Sequence, residues 1–195
     1  MKTLQINTSL FGDGGQSTQL ASEFLKGTNP VVRDLARNPV PHLDAARFQA
    51  FLAKPQERTP EQQAVVDYSD ELINELRRAD TIVIGLPMYN FGIPSTLKAY
   101  FDHIARTGET FKYTEKGPVG LLTGKKAYVF TARGGVYGDS HQSEAYVREF
   151  LRFVGIEDVQ FVYAEGLAIS PASKETGLAK ARAAIGRLNG LALAA

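Results

Sequence analysis

Residues 81–86 read Thr-Ile-Val-Ile-Gly-Leu, and this short apolar run constrains the fold more than any other part of the chain. Its β-branched residues do not alternate with polar ones, which is typical of a strand buried on both faces in the middle of a parallel sheet. Pro87 ends the strand because it has no amide hydrogen to donate. After a loop at 88–91, the spacing predicts a helix that begins near Pro94. The apolar stripe of that helix consists of Leu97, Tyr100, Phe101 and Ile104.

The overall composition excludes several classes of function. The 195 residues contain no cysteine, which rules out disulfides, thiolate nucleophiles and metal sites held by thiolates. The three histidines show no metal-ligand spacing, so no metal site is expected. A formal net charge of +1 argues against a nucleic-acid partner. Because no apolar stretch approaches the roughly 20 residues of a membrane span and no secretory pattern is visible, we expect a cytoplasmic protein without a membrane partner.

The other apolar segments extend the central strand into a sheet. Strands are predicted at 2–7, 30–35, 81–86, 127–131 and 159–164. Helices are predicted at 16–26, 59–79 and 94–104, in a segment that ends at Gly155, and at 172–193. This alternation indicates an α/β fold with a doubly wound, five-stranded parallel sheet in three α/β/α layers, and the handedness of the connections favours the order 2-1-3-4-5. The length suits a single domain over 1–195.

Two connections are longer than the others. Residues 36–58 contain only a short amphipathic segment. Residues 105–124 are rich in glycine and predict a connection without regular structure, and long loops of this kind tend to be functional. Within it Phe111 and Tyr113 alternate with Lys112, so their rings would project the same way, either over a planar ligand or simply onto the body of the protein.

A glycine-rich turn follows the first strand and is lined by Ser9, Gly15, Gln16, Ser17 and Thr18. It matches neither the P-loop motif nor the dinucleotide-binding glycine motif. A strand, a glycine-rich turn and a helix together form an anion site, because the first amides of a helix have no internal partners. The turn therefore predicts a site for one terminal phosphate. The alternative is that Ser17 only caps the helix and the glycines only turn the chain.

Two further strand ends are expected beside this turn, because the predicted strand order places the carboxyl ends of strands one, three and four at one edge. A flat polar ring with a phosphate tail fits such a crevice better than a dinucleotide does, and FMN is a molecule of this kind. Ring-facing side chains and free amides would then bind the ring. The candidate residues of these two turns are Met88, Tyr89, Asn90, Phe91, Ala132, Arg133, Gly134 and Gly135.

Four motifs resemble those of one known family. They are Pro-Met-Tyr-Asn-Phe at 87–91, Leu-Lys-Ala-Tyr-Phe-Asp at 97–102, Thr-Gly-Lys-Lys at 123–126 and Arg-Gly-Gly at 133–135. In this combination the sequence resembles, nearly from end to end, the FMN-dependent NADH-azoreductases, also described as NADH:quinone oxidoreductases. That resemblance implies a flavodoxin-like fold.

The resemblance also implies roles for individual residues. Ser9 and the turn at 15–17 would hold the phosphate, residues 88–91 would line the flavin ring, and residues 132–135 would close its pyrimidine edge. Many members carry serine where this chain has Gly15 and Ala132, and some carry histidine near Tyr137. Members are homodimers in which the partner subunit completes the substrate pocket. For this chain the implied pocket residues are Phe111, Tyr113, Tyr137 and Phe153.

The implied activity is the transfer of reducing equivalents from NADH or NADPH to quinones and azo compounds by a ping-pong hydride mechanism. The flavin carries the redox chemistry, so no side chain is expected to be a catalytic acid or base. Amide donors at Gly134 and Gly135 would stabilise the charge on the reduced ring. The alternatives are an electron-carrier flavodoxin without substrate turnover, which is disfavoured because such carriers are usually strongly acidic, and a flavin-free structural domain.

Overall fold

The computed structural model describes residues 2–139 and 141–192. The strands are β1 (Thr3–Asn7), β2 (Val31–Asp34), β3 (Thr81–Pro87), β4 (Phe111–Thr114), β5 (Gly117–Gly120), β6 (Lys126–Ala132) and β7 (Asp158–Ala164). Five of them form a parallel sheet in the order β2-β1-β3-β6-β7. This is the predicted order, since β6 and β7 are the fourth and fifth strands of the sheet.

Helices cover both faces of that sheet. They are α1 (Gln16–Phe24), α2 (Ala45–Leu52), α3 (Pro60–Arg78), α4 (Ser95–Ile104), α5 (Gln142–Phe153) and α6 (Pro171–Ala192). Ile82 and Ile84 of β3 pack in a core with α3, α4 and α5, whereas Val83 packs in a second core with α1 and α6. The alternation of side chains along β3 therefore divides the apolar core into two layers, which confirms the three-layer arrangement.

The start of α3 shows how local sequence sets a helix boundary. The amide of Gln62 donates a hydrogen bond of 3.3 Å to the hydroxyl of Thr59, and the amide of Thr59 donates one of 3.1 Å to Oε1 of Gln62. This reciprocal capping box satisfies two amides that the helix cannot. Pro60 occupies the first helical position, where its missing amide hydrogen does not matter.

His103 is a core residue of α4. Its side chain is almost fully buried, and its Nδ1 lies 3.0 Å from the carbonyl oxygen of Ala99. Burial lowers the pKa of this imidazole, so it stays neutral at physiological pH.

Over residues 2–139 and 141–192, no helix is both long enough and apolar enough to cross a membrane.

The prediction that residues 105–124 lack regular structure is wrong. β4 and β5 pair there as an antiparallel hairpin, with Phe111 opposite Gly120 and Thr114 opposite Gly117. Phe111 and Tyr113 do alternate with Lys112 in β4, but each strand has only four residues and β5 reads Gly-Pro-Val-Gly, so no hairpin pattern is recognisable. Residues 36–58 contain the eight-residue helix α2, which corresponds to the short amphipathic segment expected there, and its N-cap Asp44 accepts a hydrogen bond of 2.8 Å from the amide of Arg47.

The hairpin is fixed to the body of the protein by a close backbone contact. A Cβ atom placed on Gly120 would lie 2.1 Å from the amide nitrogen of Gly155, so only glycine fits there. Next to it, the amide of Leu122 donates a hydrogen bond of 2.8 Å to the carbonyl oxygen of Val154. The end of α5 and the end of the hairpin are thereby held together.

We expect Gly120→Ala to lower the free energy of unfolding by about 2 to 3 kcal/mol, because the added methyl group must push the hairpin away from Gly155. Gly186→Ala is the matched control, since Gly186 lies in α6 with open space around it. It should raise the free energy of unfolding by about 0.5 to 1 kcal/mol. Urea unfolding curves measure both changes, and equal effects of the two substitutions would contradict the proposed close contact.

Candidate cofactor site

Three strand ends meet at the carboxyl edge of the sheet. The parallel register places Asn7 of β1 beside Gly85 of β3, and Pro87 of β3 beside Ala132 of β6. The hydroxyl of Thr8 donates a hydrogen bond of 2.7 Å to the carbonyl oxygen of Gly85. The turns that follow β1, β3 and β6 are therefore neighbours, as the strand order predicts.

The first turn ends in a helix with unused amides. Gly15 is the N-cap of α1, and the first hydrogen bond of the helix runs over 2.9 Å from the amide of Gln19 to the carbonyl oxygen of Gly15. In the described part of the chain, the backbone amides of residues 16–18 have no backbone acceptor. The hydroxyls of Ser17 and Thr18 are buried, and they too lack a hydrogen-bond partner among the described residues. This end of α1 is therefore a set of donors without acceptors.

Two glycines allow the close packing around this helix end. A Cβ atom on Gly15 would lie 2.1 Å from the hydroxyl oxygen of Ser9, and one on Gly85 would lie 3.2 Å from the backbone of Ser17. Gly15 was a candidate from the sequence, whereas Gly85 and Thr8 were not. A glycine inside a buried strand is the signal that would have identified Gly85, because it often marks a close approach of another backbone.

The turn after β3 is tight and strained. The amides and carbonyls of Tyr89 and Gly92 bond to each other over 3.1 and 3.0 Å, so only Asn90 and Phe91 lie between them. Both of these residues have left-handed backbones, with φ of 50° and 64°. Asparagine tolerates this conformation, but for phenylalanine it costs about 1 kcal/mol or more. Strain of this kind is characteristic of functional loops.

Tyr89 links this turn to the first one. Its hydroxyl accepts a hydrogen bond of 3.1 Å from the amide of Leu10 and lies 3.4 Å from the hydroxyl of Ser9. Met88 links it to the third turn, because its amide donates to the carbonyl oxygen of Ala132 over 3.0 Å. The structure thus brings the three predicted groups of residues into one site.

The third turn presents amides on one side only. The carbonyl oxygens of Arg133, Gly134 and Gly135 accept hydrogen bonds of 3.1, 3.0 and 2.9 Å from the segment after β7. Among the described residues, the amides of Gly134 and Gly135 have no acceptor. The side chain of Arg133 is buried, so only the backbone of this residue could face a ligand here.

The four predicted pocket aromatics fall into two groups. Tyr137 packs edge-on against Phe91, with ring centroids 6.4 Å apart, and therefore borders the site. Phe111 packs on Phe153 at 4.4 Å, in a cluster below the hairpin. Tyr113 lies on the other side of Phe111 at 5.5 Å and is 71% exposed. Within the described part of the chain, no ring contact joins the second group to the first.

A buried charge cluster behind the third turn was missed by the sequence analysis. It consists of Arg133, Glu144 at the start of α5, and Glu165 just after β7. The guanidinium of Arg133 lies 3.6 Å from the carboxylate of Glu144 and 3.7 Å from that of Glu165. These charged residues are far apart in the sequence and resemble ordinary surface residues, so no spacing pattern indicates the cluster.

The arrangement can bind an anion and the edge of a planar group. The described residues include no group of three or more histidine, aspartate or glutamate residues placed to hold a metal ion. The free donors are backbone amides and hydroxyls at two of the three turns. Such uncharged donors suit a phosphate and ring carbonyls better than they suit acid–base or nucleophilic catalysis.

Comparisons with known proteins identify the family of this chain. A family model described as flavodoxin-like fold matches residues 1–188. The FMN-dependent NADH:quinone oxidoreductase of Cellvibrio japonicus (strain Ueda107) is 60% identical over 173 residues, which cover 84% of this chain and 87% of that protein. FMN-dependent NADH:quinone oxidoreductase 6 of Burkholderia lata (strain ATCC 17760 / DSM 23089 / LMG 22485 / NCIMB 9086 / R18194 / 383) is 53% identical over 191 residues, which cover 93% of this chain and 96% of that protein.

A solved structure agrees in three dimensions. The crystal structure of an FMN-dependent NADH-azoreductase from Bacillus anthracis str. Ames Ancestor in complex with FMN matches with a TM-score of 0.82 and 34% identity. The match covers 96% of this chain and 98% of that one. The chain therefore belongs to the flavodoxin-like family and, within it, to the FMN-dependent NADH:quinone oxidoreductases and NADH-azoreductases.

Proposed function

We propose that this chain binds FMN at the three turns and transfers reducing equivalents from NADH or NADPH to quinones and azo compounds by a ping-pong mechanism. The observation that carries the proposal is the set of buried donors without acceptors at the start of α1, next to free amides at the end of β6. A ligand with a phosphate at one end and a flat polar ring at the other would satisfy both. The printed names of the relatives support the same cofactor and substrates.

The residues present fit FMN at the phosphate end. The amides of residues 16–18 and the hydroxyls of Ser17 and Ser9 would hold the phosphate. This donor set carries no full positive charge, so it would bind the dianion through dipoles and the positive end of α1. The hydroxyl of Tyr89, already 3.1 Å from the amide nitrogen of Leu10, would close the side of this cradle.

The other two turns would hold the ring. Residues 88–91 would line one side of it, and the strained backbone at Asn90 and Phe91 exposes the side chains of both residues. Gly134 and Gly135 would donate their free amides to its pyrimidine edge, with Ala132 and the backbone of Arg133 beside them. FMN, when bound, supplies the acceptance and return of a hydride equivalent. The chain itself would bind, orient and shield that group, and no side chain is required as an acid or base.

A second copy of the chain would complete the substrate pocket. Several large apolar side chains are exposed around α2 and the hairpin, which is unusual for a surface that stays in water. They include Phe48 (50% exposed), Leu52 (63%) and Tyr113 (71%). We propose that this face is buried in a homodimer and that Tyr113, with Phe111 and Phe153 behind it, covers the partner's ring. A single domain over 1–195 and a cytoplasmic location remain predictions.

Turnover separates the enzyme from an electron carrier. We expect the purified protein, loaded with FMN, to oxidise NADH continuously when a quinone is present. Double-reciprocal plots of rate against NADH concentration, at several quinone concentrations, should give the parallel lines of a ping-pong reaction. A flavodoxin-type carrier would bind FMN but show almost no steady-state NADH oxidation. A protein that is colourless after incubation with FMN and removal of the free FMN would contradict both hypotheses.

A charge test addresses the phosphate end. Gln16→Glu adds a negative charge at the first position of α1 without changing the side-chain shape, so we expect the FMN dissociation constant to rise about tenfold or more through repulsion of the phosphate. Gln62→Glu adds the same charge to the first turn of α3, where glutamate also suits the capping box, and as the matched control it should change the dissociation constant much less. Flavin fluorescence quenching measures both. Equal effects of the two substitutions would argue against a phosphate at this helix end.

An exposed tyrosine tests the shared pocket. We expect Tyr113→Ala to raise the KM for quinone several-fold while the free energy of unfolding changes by less than about 1 kcal/mol, because the ring makes one aromatic contact within its own subunit. Val32→Ala, at an exposed position of β2, is the control and should leave the KM unchanged. Unaltered quinone kinetics in the Tyr113 variant would exclude this residue from the pocket.

A further inference from the structure

Arg133 is the largest fully buried side chain of the protein's described part. Its guanidinium lies over the ring of Tyr163 at 4.8 Å, and one of its terminal nitrogens donates a hydrogen bond of 2.8 Å to the carbonyl oxygen of Gly138. The carboxylates of Glu144 and Glu165 lie at 3.6 and 3.7 Å. One side chain therefore contacts the start of α5, the end of β7 and the far end of the turn that Arg133 itself begins.

The burial of this charge needs an explanation other than stability. Removing the guanidinium of Arg133 and the carboxylate of Glu144 from water costs free energy that ion pairs in a protein interior often fail to return. An apolar residue in the same space would stabilise the fold at least as well. A buried charge cluster is better explained by the conformation that it specifies, and here the chain that surrounds it is the turn at 134–138.

Glu165 fixes the backbone of that turn directly. Its Oε1 accepts hydrogen bonds from two successive amides, 2.7 Å from the nitrogen of Tyr137 and 3.0 Å from that of Gly138. Gly138 has a φ of 74°, which side chains rarely adopt. Glu165 thus binds the amides of Tyr137 and Gly138 while Arg133 binds the carbonyl oxygen of Gly138, and the two side chains lie 3.7 Å apart.

The turn also positions a residue of the site. The ring of Tyr137 packs against Phe91 at 6.4 Å, and the ring of His141 packs against Tyr137 at 5.2 Å. Because the backbone of Tyr137 is bonded to Glu165, the place of its ring above Phe91 depends on the same carboxylate. Releasing residues 137 and 138 would move this ring, whereas the peptide groups of Gly134 and Gly135 stay bonded to the segment after β7.

We propose that Arg133 and Glu165 are positioning residues, which hold residues 137 and 138 in the conformation that places the ring of Tyr137 beside Phe91 at the edge of the cofactor site. This inference rests on the proposed function, because the value of that conformation is the binding of FMN. Neither side chain would contact the ligand: Arg133 is enclosed, and Glu165 lies behind the turn.

Two substitutions of Glu165 separate its hydrogen bonds from its charge. Glu165→Gln keeps an oxygen that accepts from both amides, so we expect FMN affinity within about threefold of the unchanged protein. Glu165→Ala removes the acceptor, so we expect FMN affinity to fall about tenfold or more, because two amides of the turn lose their partner. In the FMN-free protein, hydrogen exchange at Tyr137 and Gly138 should become faster in Glu165→Ala and remain slow in Glu165→Gln.

A second arginine provides the matched control. Arg33 also lies between two glutamates, 2.6 Å from Glu71 and 2.5 Å from Glu75, but on the edge strand β2 away from the turn. We expect both Arg133→Met and Arg33→Met to change the urea midpoint, whereas only Arg133→Met should weaken FMN binding about tenfold or more. If Arg133→Met fails to fold, the Glu165 pair decides alone, since the Glu165 side chain is partly exposed.

The outcomes distinguish the two proposals. If the unchanged protein does not bind FMN, the proposed function fails, and the exchange rates of Tyr137 and Gly138 in the FMN-free variants still test the positioning role. If the protein binds FMN but Glu165→Ala alters neither affinity nor exchange, the positioning role is overturned and the proposed function stands. Equal losses of FMN affinity in Arg133→Met and Arg33→Met would also overturn it, since they would reflect general destabilisation.

Discussion

The structure depends on one strand that has no face in water. All seven residues of β3 are buried, and Ile82, Val83 and Ile84 have no exposed surface. A strand of this kind must be covered by helices on both sides and paired on both edges, because no water is available to its backbone or side chains. The helices α3 and α4 on one side and α1 and α6 on the other follow from that requirement, as does the pairing with β1 and β6.

The same constraint creates the site. Three parallel strands that end at one edge leave their following turns side by side, and the first amides of α1 have no acceptors in the fold. Gly85 allows the start of α1 to approach β3 closely, and the tight turn at Asn90 and Phe91 keeps the chain from covering the edge. The donors are therefore part of the fold itself, because they are the backbone groups that a doubly wound sheet leaves unpaired.

Most of the sheet was predictable from the sequence, because continuous apolar runs such as 81–86 and helix signals such as the capping box at Thr59 are local. The hairpin at 111–120 was not, since its stability comes from tertiary contacts, whereas α2 corresponds to the short amphipathic segment expected within 36–58. The hairpin depends on the approach of Gly120 to Gly155, residues that are far apart in the chain, and no short-range pattern encodes such a contact.

The positions of the three turns were predictable for the same reason, whereas their role in binding FMN stays a prediction. Glycines and hydroxyls beside strand ends indicate where amides are free, and they pointed to the turns at 9–18, 88–91 and 132–135. The sequence contains no comparable sign that Arg133 is buried or that Glu165 bonds the backbone behind the third turn, because burial of a charge depends on partners that only the fold supplies.

The backbone and hydroxyl donors lie at the front of the candidate site, and Arg133 and Glu165 lie behind its third turn. Amides and hydroxyls at the front would bind a ligand without a net charge of their own, so they suit a ligand whose charge changes, whereas a fixed cation at the same place would favour one charge state. Amides are rigid only if the backbone is, and a turn with two glycines is not rigid by itself. Backbone hydrogen bonds from the segment after β7 fix Gly134 and Gly135, and the charged side chains behind the turn fix residues 137 and 138. The buried arginine is thus explained by the part of the turn that lies beyond the two glycines following it.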